Sequence, residues 1–433
     1  MREGLDDSVR DELVGGWETL DHLPLRSKRS EREKATASQA RESLLALSER
    51  LVRSHRQEIY DRLTEGGSRR LRADDLVYRA AELWPGLVPT REEVGRESER
   101  MQMDKDGREI QQGILLSELL SDPAIGAHLV SSMLAPTEEA RAKLPELESR
   151  GAIDLGAARV EARGEVGYVF MRHPRFLNAE DDETRGPLEV AIDLVLLHPG
   201  LKMGVLRGDP VEHPKYAGRR IFSAGINLTR LYHGKISYLF YLLRDLGPVH
   251  KLYRGLALEP QSLEGLETTL EKPWMAVVDG FAIGGGCQIL LVVDYVIAEK
   301  GSYFNLPARK EGIIPGAANL RLPRFMGERM ARQAILFDRL FPVEEPDAKA
   351  LVNEVHSPEE IDQAVERAVE NALGSGMVSA SGNRKALRVQ LEPLNTFRRY
   401  MATYAREQAY CHFSDQLIGN LEKHWQAKSR RVT

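Results

Sequence analysis

Two short stretches combine residue types and spacings that can do chemistry. The first is Gly284-Gly285-Gly286, inside the run PWMAVVDGFAIGGGCQILLVV that starts at Pro273. Trp274 to Val278 is apolar and rich in β-branched residues, as in a buried strand. CQILLVV, from Cys287, is long enough for a buried helix. Three glycines between strand and helix let the backbone approach a ligand closely. The helix start leaves N–H groups that no carbonyl of that helix can use. Such groups bind an anion or stabilise a developing oxyanion. The same glycines also fit a tight strand–helix corner that serves packing alone. They do not make the dinucleotide pattern GxGxxG, and no Gly-Lys-Ser/Thr follows as in a P-loop. The second stretch is IFSAGINL, residues 221–228, placed after a strand expected at Lys202–Leu206.

"SAGxxL", "GFAIGGGCQ" and then "IIPGAAN", in that order, resemble the crotonase (enoyl-CoA hydratase/isomerase) superfamily over roughly residues 158–370. The fold class this implies is α/β, a crotonase-type ββα spiral core with an N-terminal all-helical domain and C-terminal helices. The expected division is residues 1–150, 151–370 and 371–433. By motif position the resemblance gives the thioester oxygen two backbone donors, the N–H groups of Ile226 and Gly285. Hydratases of the superfamily add two glutamates; here Gln288 and Ala308 stand at those positions. Each missing acid/base group is worth about 10²–10⁴ in rate, so ordinary hydration is not expected.

The Gln of "GGGCQ", the continuation "LPARKEGIIPGAANLRLPRF" and the extra N-terminal helices are similar to one branch of the superfamily. That branch comprises cofactor-independent dioxygenases that act on 3,5-dihydroxyphenylacetyl-CoA in glycopeptide-antibiotic pathways. The resemblance implies an acyl-CoA substrate, O₂ as co-substrate, an arylglyoxylate and free CoA as products, and no metal or flavin. It implies that Glu180, Arg244 and Gln288 grip the ring hydroxyls, which need polar partners once buried. Leu228, Ala308 and Ile313 are expected around an apolar O₂ pocket, or equally as core packing. The general base is left unassigned. Two other readings stay open: a crotonase-type hydrolase or decarboxylase acting on another acyl-CoA, and a CoA-binding scaffold without activity.

The elements that must position these residues follow from the rest of the chain. It has 433 residues, more than one such core needs, and 42% of them are hydrophobic. A net charge of −5 gives no global reason to expect nucleic-acid binding. Two cysteines, Cys287 and Cys411, suggest no disulfide framework, and no metal-ligand spacing is evident. No apolar signal core or run of about 18 apolar residues occurs, so a cytoplasmic protein without a membrane span is expected.

Residues 1–35 read as a solvated arm with the basic run RSKRSEREK, and helices are expected at about 36–63, 73–83, from Thr90, 111–120, around His128–Leu134, and 136–147. Asp104-Lys105-Asp106-Gly107 lacks the spacing of a calcium loop and reads as a polar turn. Arg159–Ala162 and Val166–Met171 flank Arg163-Gly164 as a β-hairpin. Residues 229–256 read as a long aromatic-rich helical segment. There Arg244 is either a helix C-terminal charge or a buried donor, while Lys251 and Arg254 read as a solvent face. Residues 259–270 read as a loop. The tail from Ser379 is helical, and the resemblance implies that it covers the site and joins subunits into a homo-trimer or hexamer.

Overall fold

The computed structural model describes residues 7–260, 268–374 and 376–431. The loop expected at 259–270 and the first six residues of the expected arm fall partly or wholly outside these. Seven helices come first: α1 (Asp7–Asp21), α2 (Glu31–Thr64), α3 (Ala73–Leu83), α4 (Arg91–Ser98), α5 (Ile110–Ser121), α6 (Pro123–Met133) and α7 (Glu138–Arg150). Side-chain caps set their starts. Ser30 and Thr90 each form a reciprocal capping box with the Glu three residues on, and Asp122 and Thr137 cap α6 and α7. The box at Ser30 explains why α2 begins at Glu31 rather than near residue 36.

The solvated arm expected at residues 1–35 is not what forms. In α1, Leu13, Trp17 and Leu20 are buried, and they pack with Leu44 and Leu47 of α2. Their i, i+4, i+7 spacing is a narrow apolar stripe inside a charged sequence. Arg29 of the basic run is also buried, with Nη1 2.6 Å from Asp106 of the expected polar turn.

The core follows as β1 (Ala152–Asp154), β2 (Ala158–Arg163), β3 (Val166–Met171), α8 (Asp182–Leu197), β4 (Met203–Gly208), α9 (Leu228–Tyr232), α10 (Tyr238–Leu246) and α11 (Pro248–Arg254). It continues with β5 (Trp274–Val278), β6 (Phe281–Ile283), α12 (Gly285–Leu290), β7 (Tyr295–Glu299), β8 (Tyr303–Asn305), α13 (Ala308–Glu311), α14 (Ala318–Phe337), β9 (Phe341–Pro342), β10 (Glu354–His356) and α15 (Ile361–Leu373). The larger sheet has the order β1-β2-β3-β4-β5-β7-β10, and the smaller one β6-β8-β9. β2 and β3 pair antiparallel, as the hairpin predicts, β1 adds to β2 antiparallel as a strand not expected from the sequence, and β3-β4-β5-β7-β10 run parallel. The fully buried run Trp274–Val278 is the central strand β5, which is why it reads as continuously apolar.

The segment 229–256 is three short helices, broken before Ser237 and at Gly247-Pro248, rather than one long one. Lys251 and Arg254 do not form a solvent face: both are buried. Lys251 Nζ lies 2.8 Å from Glu189 and 2.8 Å from Asp193, both on α8. Arg72, just before α3, donates to both oxygens of the same Glu189 at 2.8 Å. Arg254 donates to the Glu392 carbonyl.

The tail forms α16 (Met377–Leu391), α17 (Leu394–His412) and α18 (Asp415–Trp425). α17 enters the N-terminal helices: Phe397, Met401, Tyr404 and Ala409 share one core with Ile114 and Leu115 of α5 and Tyr238 and Leu242 of α10. A Cβ on Gly113 would stand 2.6 Å from that of Ala409, so α5 and α17 touch nearly backbone to backbone. Among the described residues no single helix is long and apolar enough to cross a membrane.

Removing one partner of a buried ion pair leaves the other charge uncompensated, at a cost of about 3–5 kcal/mol. Lys251→Met is therefore expected to lower the chemical-denaturation midpoint markedly, and a Lys251→Met/Asp193→Asn double variant, which leaves the Arg72–Glu189 pair intact, to recover part of the loss.

Candidate active site

The backbone of the two motif loops converges first. Glu180 N–H donates to Gly225 O at 2.7 Å and Asn227 N–H to Glu180 O at 2.8 Å, a parallel bridge that leaves the Ile226 N–H directed away from Glu180. Ser223 bridges Ala282, and Ile283 N–H donates to Ser223 O at 3.0 Å. Gly225 adopts φ +78, and a Cβ there would come within 2.7 Å of Ile283 O and 3.2 Å of Gly285 N. Glycine is thus required for the two loops to meet. Gly285 opens α12, so its N–H has no acceptor within the helix. Among the described residues neither this N–H nor that of Ile226 makes a hydrogen bond. Both residues line one narrow cavity of about 30 Å³.

Glu180, Arg244 and Gln288 come together in that cavity, although they lie far apart in sequence. Arg244 Nε donates to Glu180 Oε2 at 2.6 Å and Nη2 to Glu180 Oε1 at 3.1 Å. Nη1 donates to Gln288 Oε1 at 2.8 Å, and Nη2 also to the Gly285 carbonyl at 2.8 Å. Arg244 stands in the last turn of α10 and is also buried, at 6% exposed, where it donates to protein acceptors. Burial disfavours its charge, but the Glu180 carboxylate and Asp245 beside it outweigh that and hold it protonated. A Cβ on Gly285 would lie 2.0 Å from Glu180 Oε2, so only glycine admits this pair.

Ala308 and Ile313 line the same cavity; Leu228 does not. Leu228 instead faces a wider cleft of about 480 Å³ that meets the inner cavity at Ile226 and carries Arg175, Lys215, Tyr216, Trp425 and Arg430. Sequence reasoning also passed over Glu311, Tyr241 and Tyr404, which line the inner cavity. For Glu311 a signal existed: it follows Ala308 by three residues, one helical turn, inside a motif already singled out. Burial, with Asp338 adding to it, pushes the Glu311 carboxyl from 4.5 up to about 8. Among the described residues no group of three or more His, Cys, Asp or Glu side chains could hold a metal ion.

The raised Glu311 value has a stability consequence with a definite sign. Between about pH 4.5 and about pH 8 the folded chain keeps a proton that the unfolded chain has released, so this group's contribution falls as pH rises. Glu311→Gln is expected to raise the melting temperature by roughly a few degrees near the upper end of that window and by almost nothing at the lower end. A gain independent of pH in calorimetric scans would contradict the raised value.

The profile of the enoyl-CoA hydratase/isomerase family matches residues 161–415. The chain is 46% identical over 405 residues, 93% of its length and 92% of the relative's, to the (3,5-dihydroxyphenyl)acetyl-CoA 1,2-dioxygenase of Amycolatopsis orientalis. So long a match takes in most of the N-terminal helices. It is 25% identical over 228 residues, 52% of this chain and 79% of the relative, to the crotonyl-CoA hydratase of Syntrophomonas wolfei. The fold of an enoyl-CoA hydratase/isomerase from Xanthobacter autotrophicus Py2 superposes with a TM-score of 0.52 at 20% identity, covering 64% of this chain and 96% of that one. The converging glycine loops are thus those of a known scaffold, and the chain belongs to the enoyl-CoA hydratase/isomerase (crotonase) family.

Proposed function

We propose that this chain is a cofactor-independent dioxygenase that converts 3,5-dihydroxyphenylacetyl-CoA and O₂ to 3,5-dihydroxyphenylglyoxylate and free CoA. The near full-length similarity to the A. orientalis dioxygenase carries this reading. The site supports it: a hydratase needs carboxylates where this chain has Gln288 and Ala308, and the cavity instead holds a polar cluster of Glu180, Arg244 and Gln288.

The chemistry runs as follows. The thioester oxygen accepts from the N–H groups of Ile226 and Gly285, which makes the α-proton acidic and stabilises the enolate. The α-carbon carries both a thioester and an aromatic ring, so the enolate is electron-rich enough to give an electron to O₂ directly. Recombination places a peroxide on the α-carbon; it attacks the thioester carbon and CoA leaves. Glu180, Arg244 and Gln288 supply acceptors and donors for the ring hydroxyls, whose burial otherwise costs free energy. Ala308 and Ile313 give O₂ an apolar wall. Arg175, Lys215 and Arg430 line the outer cleft and suit the phosphates of CoA. A homo-trimer or hexamer, a cytoplasmic location and a place in antibiotic biosynthesis belong to the same proposal; exposed Leu336 and Phe337 suit subunit contact.

The test is O₂ uptake and free-thiol release from 3,5-dihydroxyphenylacetyl-CoA on chelated, flavin-free protein. Matched uptake and release are expected. Thiol release without O₂ uptake makes the chain a hydrolase, and no reaction with the thioester still bound makes it a scaffold. Gly285→Ala should move the N–H and press on Glu180, lowering kcat by about 10²–10³-fold, the usual cost of one oxyanion donor.

A further inference from the structure

Three carboxyl groups line the inner cavity: Glu180, Asp245 and Glu311. Two are engaged. Glu180 accepts two hydrogen bonds from Arg244, at 2.6 and 3.1 Å. Asp245 accepts the Ala317 N–H at 3.2 Å and lies 3.8 Å from Arg244 Nη1. The Glu311 side chain differs. It is 3% exposed, yet among the described residues it makes no hydrogen bond and no ion pair. A buried carboxyl without donors is costly, and one that faces a ligand cavity keeps its lone pairs for what enters.

Its position is fixed by backbone. Glu311 N–H donates to Pro307 O at 3.0 Å and Gly312 N–H to Ala308 O at 2.8 Å, so residues 308 and 311 stand one turn apart on one face. Gly312 ends the turn at φ +79, and a Cβ there would stand 2.9 Å from Leu417 Cα on α18. Ala308, Glu311 and Ile313 all face the cavity that also holds the Ile226 and Gly285 backbone. The carboxylate missing at Ala308 is thereby replaced by one a single turn later.

Resting on the dioxygenase reading, we propose that Glu311 is the base that removes the α-protons of the bound arylacetyl thioester. In its ionised form, populated towards the upper end of the pH window given above, the carboxylate takes the first proton, and the C–H electron pair passes into the enolate held by Ile226 and Gly285. O₂ takes two electrons from the enolate as the C–O bond forms, giving an α-peroxide anion. Its outer oxygen attacks the thioester carbon, a four-membered peroxide ring closes, the C–S bond breaks, and the thiolate takes the proton from Glu311. Ionised again, Glu311 takes the second α-proton as the O–O bond breaks. The C–H pair becomes the second bond of the ketone, and the O–O pair stays on the carboxylate oxygen. One arylglyoxylate, one CoA thiol and one proton leave. Burial makes this carboxylate a stronger base than a solvated one.

The test compares wild type, Glu311→Gln and Glu311→Asp with 3,5-dihydroxyphenylacetyl-CoA. Hydrogen–deuterium exchange at the α-carbon is followed anaerobically by mass spectrometry, single-turnover O₂ uptake is followed in air, and thioester affinity is measured by titration. Glu311→Gln is expected to bind the thioester with nearly wild-type affinity while exchange and O₂ uptake fall by about 10²–10⁴-fold. Glu311→Asp should recover part of the rate, which a merely structural role for residue 311 would not give. Wild-type rates in Glu311→Gln overturn the assignment and leave the dioxygenase reading standing. If the Gln variant loses binding, equal loss of rate and affinity in the Asp variant also overturns it. Exchange by wild type without O₂ uptake overturns the dioxygenase reading instead, with the loss of exchange in Glu311→Gln still identifying the base.

Discussion

A guanidinium buried in an apolar cavity holds this site together. Taking such a charge out of water costs several kcal/mol unless good geometry and further hydrogen bonds compensate. Arg244 meets that condition with four short contacts to three residues. The acceptors come from two places: Glu180, ahead of α8, and α12, which supplies Gln288 and the Gly285 carbonyl. α10 is thereby fixed against α12 at the point where the cavity opens. Gly285 is shared. Its carbonyl accepts from Arg244, while its N–H, in the preceding peptide unit, makes no hydrogen bond among the described residues. The arginine cluster and the proposed oxyanion donor are thus joined through a single residue.

What was legible in the sequence is what local backbone geometry demands. Gly225 and Gly285 are needed for close approach at one point each, and such needs leave motifs that can be read without a partner in view. The strand at Trp274–Val278 and the Thr90 cap were legible for the same reason, since caps and apolar runs are local, whereas α1 and the Ser30 box were missed inside a charged stretch. Arg244 was only half legible: its place at the end of an apolar helix can be read locally, but its partners Glu180 and Gln288 lie 64 and 44 residues away. Lys251 and Arg254 were read as exposed because their partners are remote: Asp193 is 58 residues from Lys251 and Glu392 is 138 from Arg254. Glu311, between Lys310 and Gly312, looks like a surface residue until the cavity is built around it.

The helices at the two ends of the chain share one core. α17 packs on both α5 and α10, and its Tyr404 lines the inner cavity. The wall of the site is therefore assembled from residues nearly 180 positions apart: Ile226 on one loop and Tyr404 in the tail both line it. Such walls form only when distant segments have packed, so substrate shape depends on folding of the whole chain rather than of the ββα spiral alone.

The ion pairs under α8 carry a further meaning. Glu189 is held by Lys251 from α11 and by Arg72 from the N-terminal helices. Its neutralisation is divided between two regions that look separable by length and composition. Cutting the chain back to the size of its shorter hydratase relatives would strip Arg72 from Glu189 and uncover the side of α8 on which it sits. The helical region thus joins the core through charge as well as through apolar packing: without it, Glu189 would keep Lys251 and Arg185 and lose Arg72.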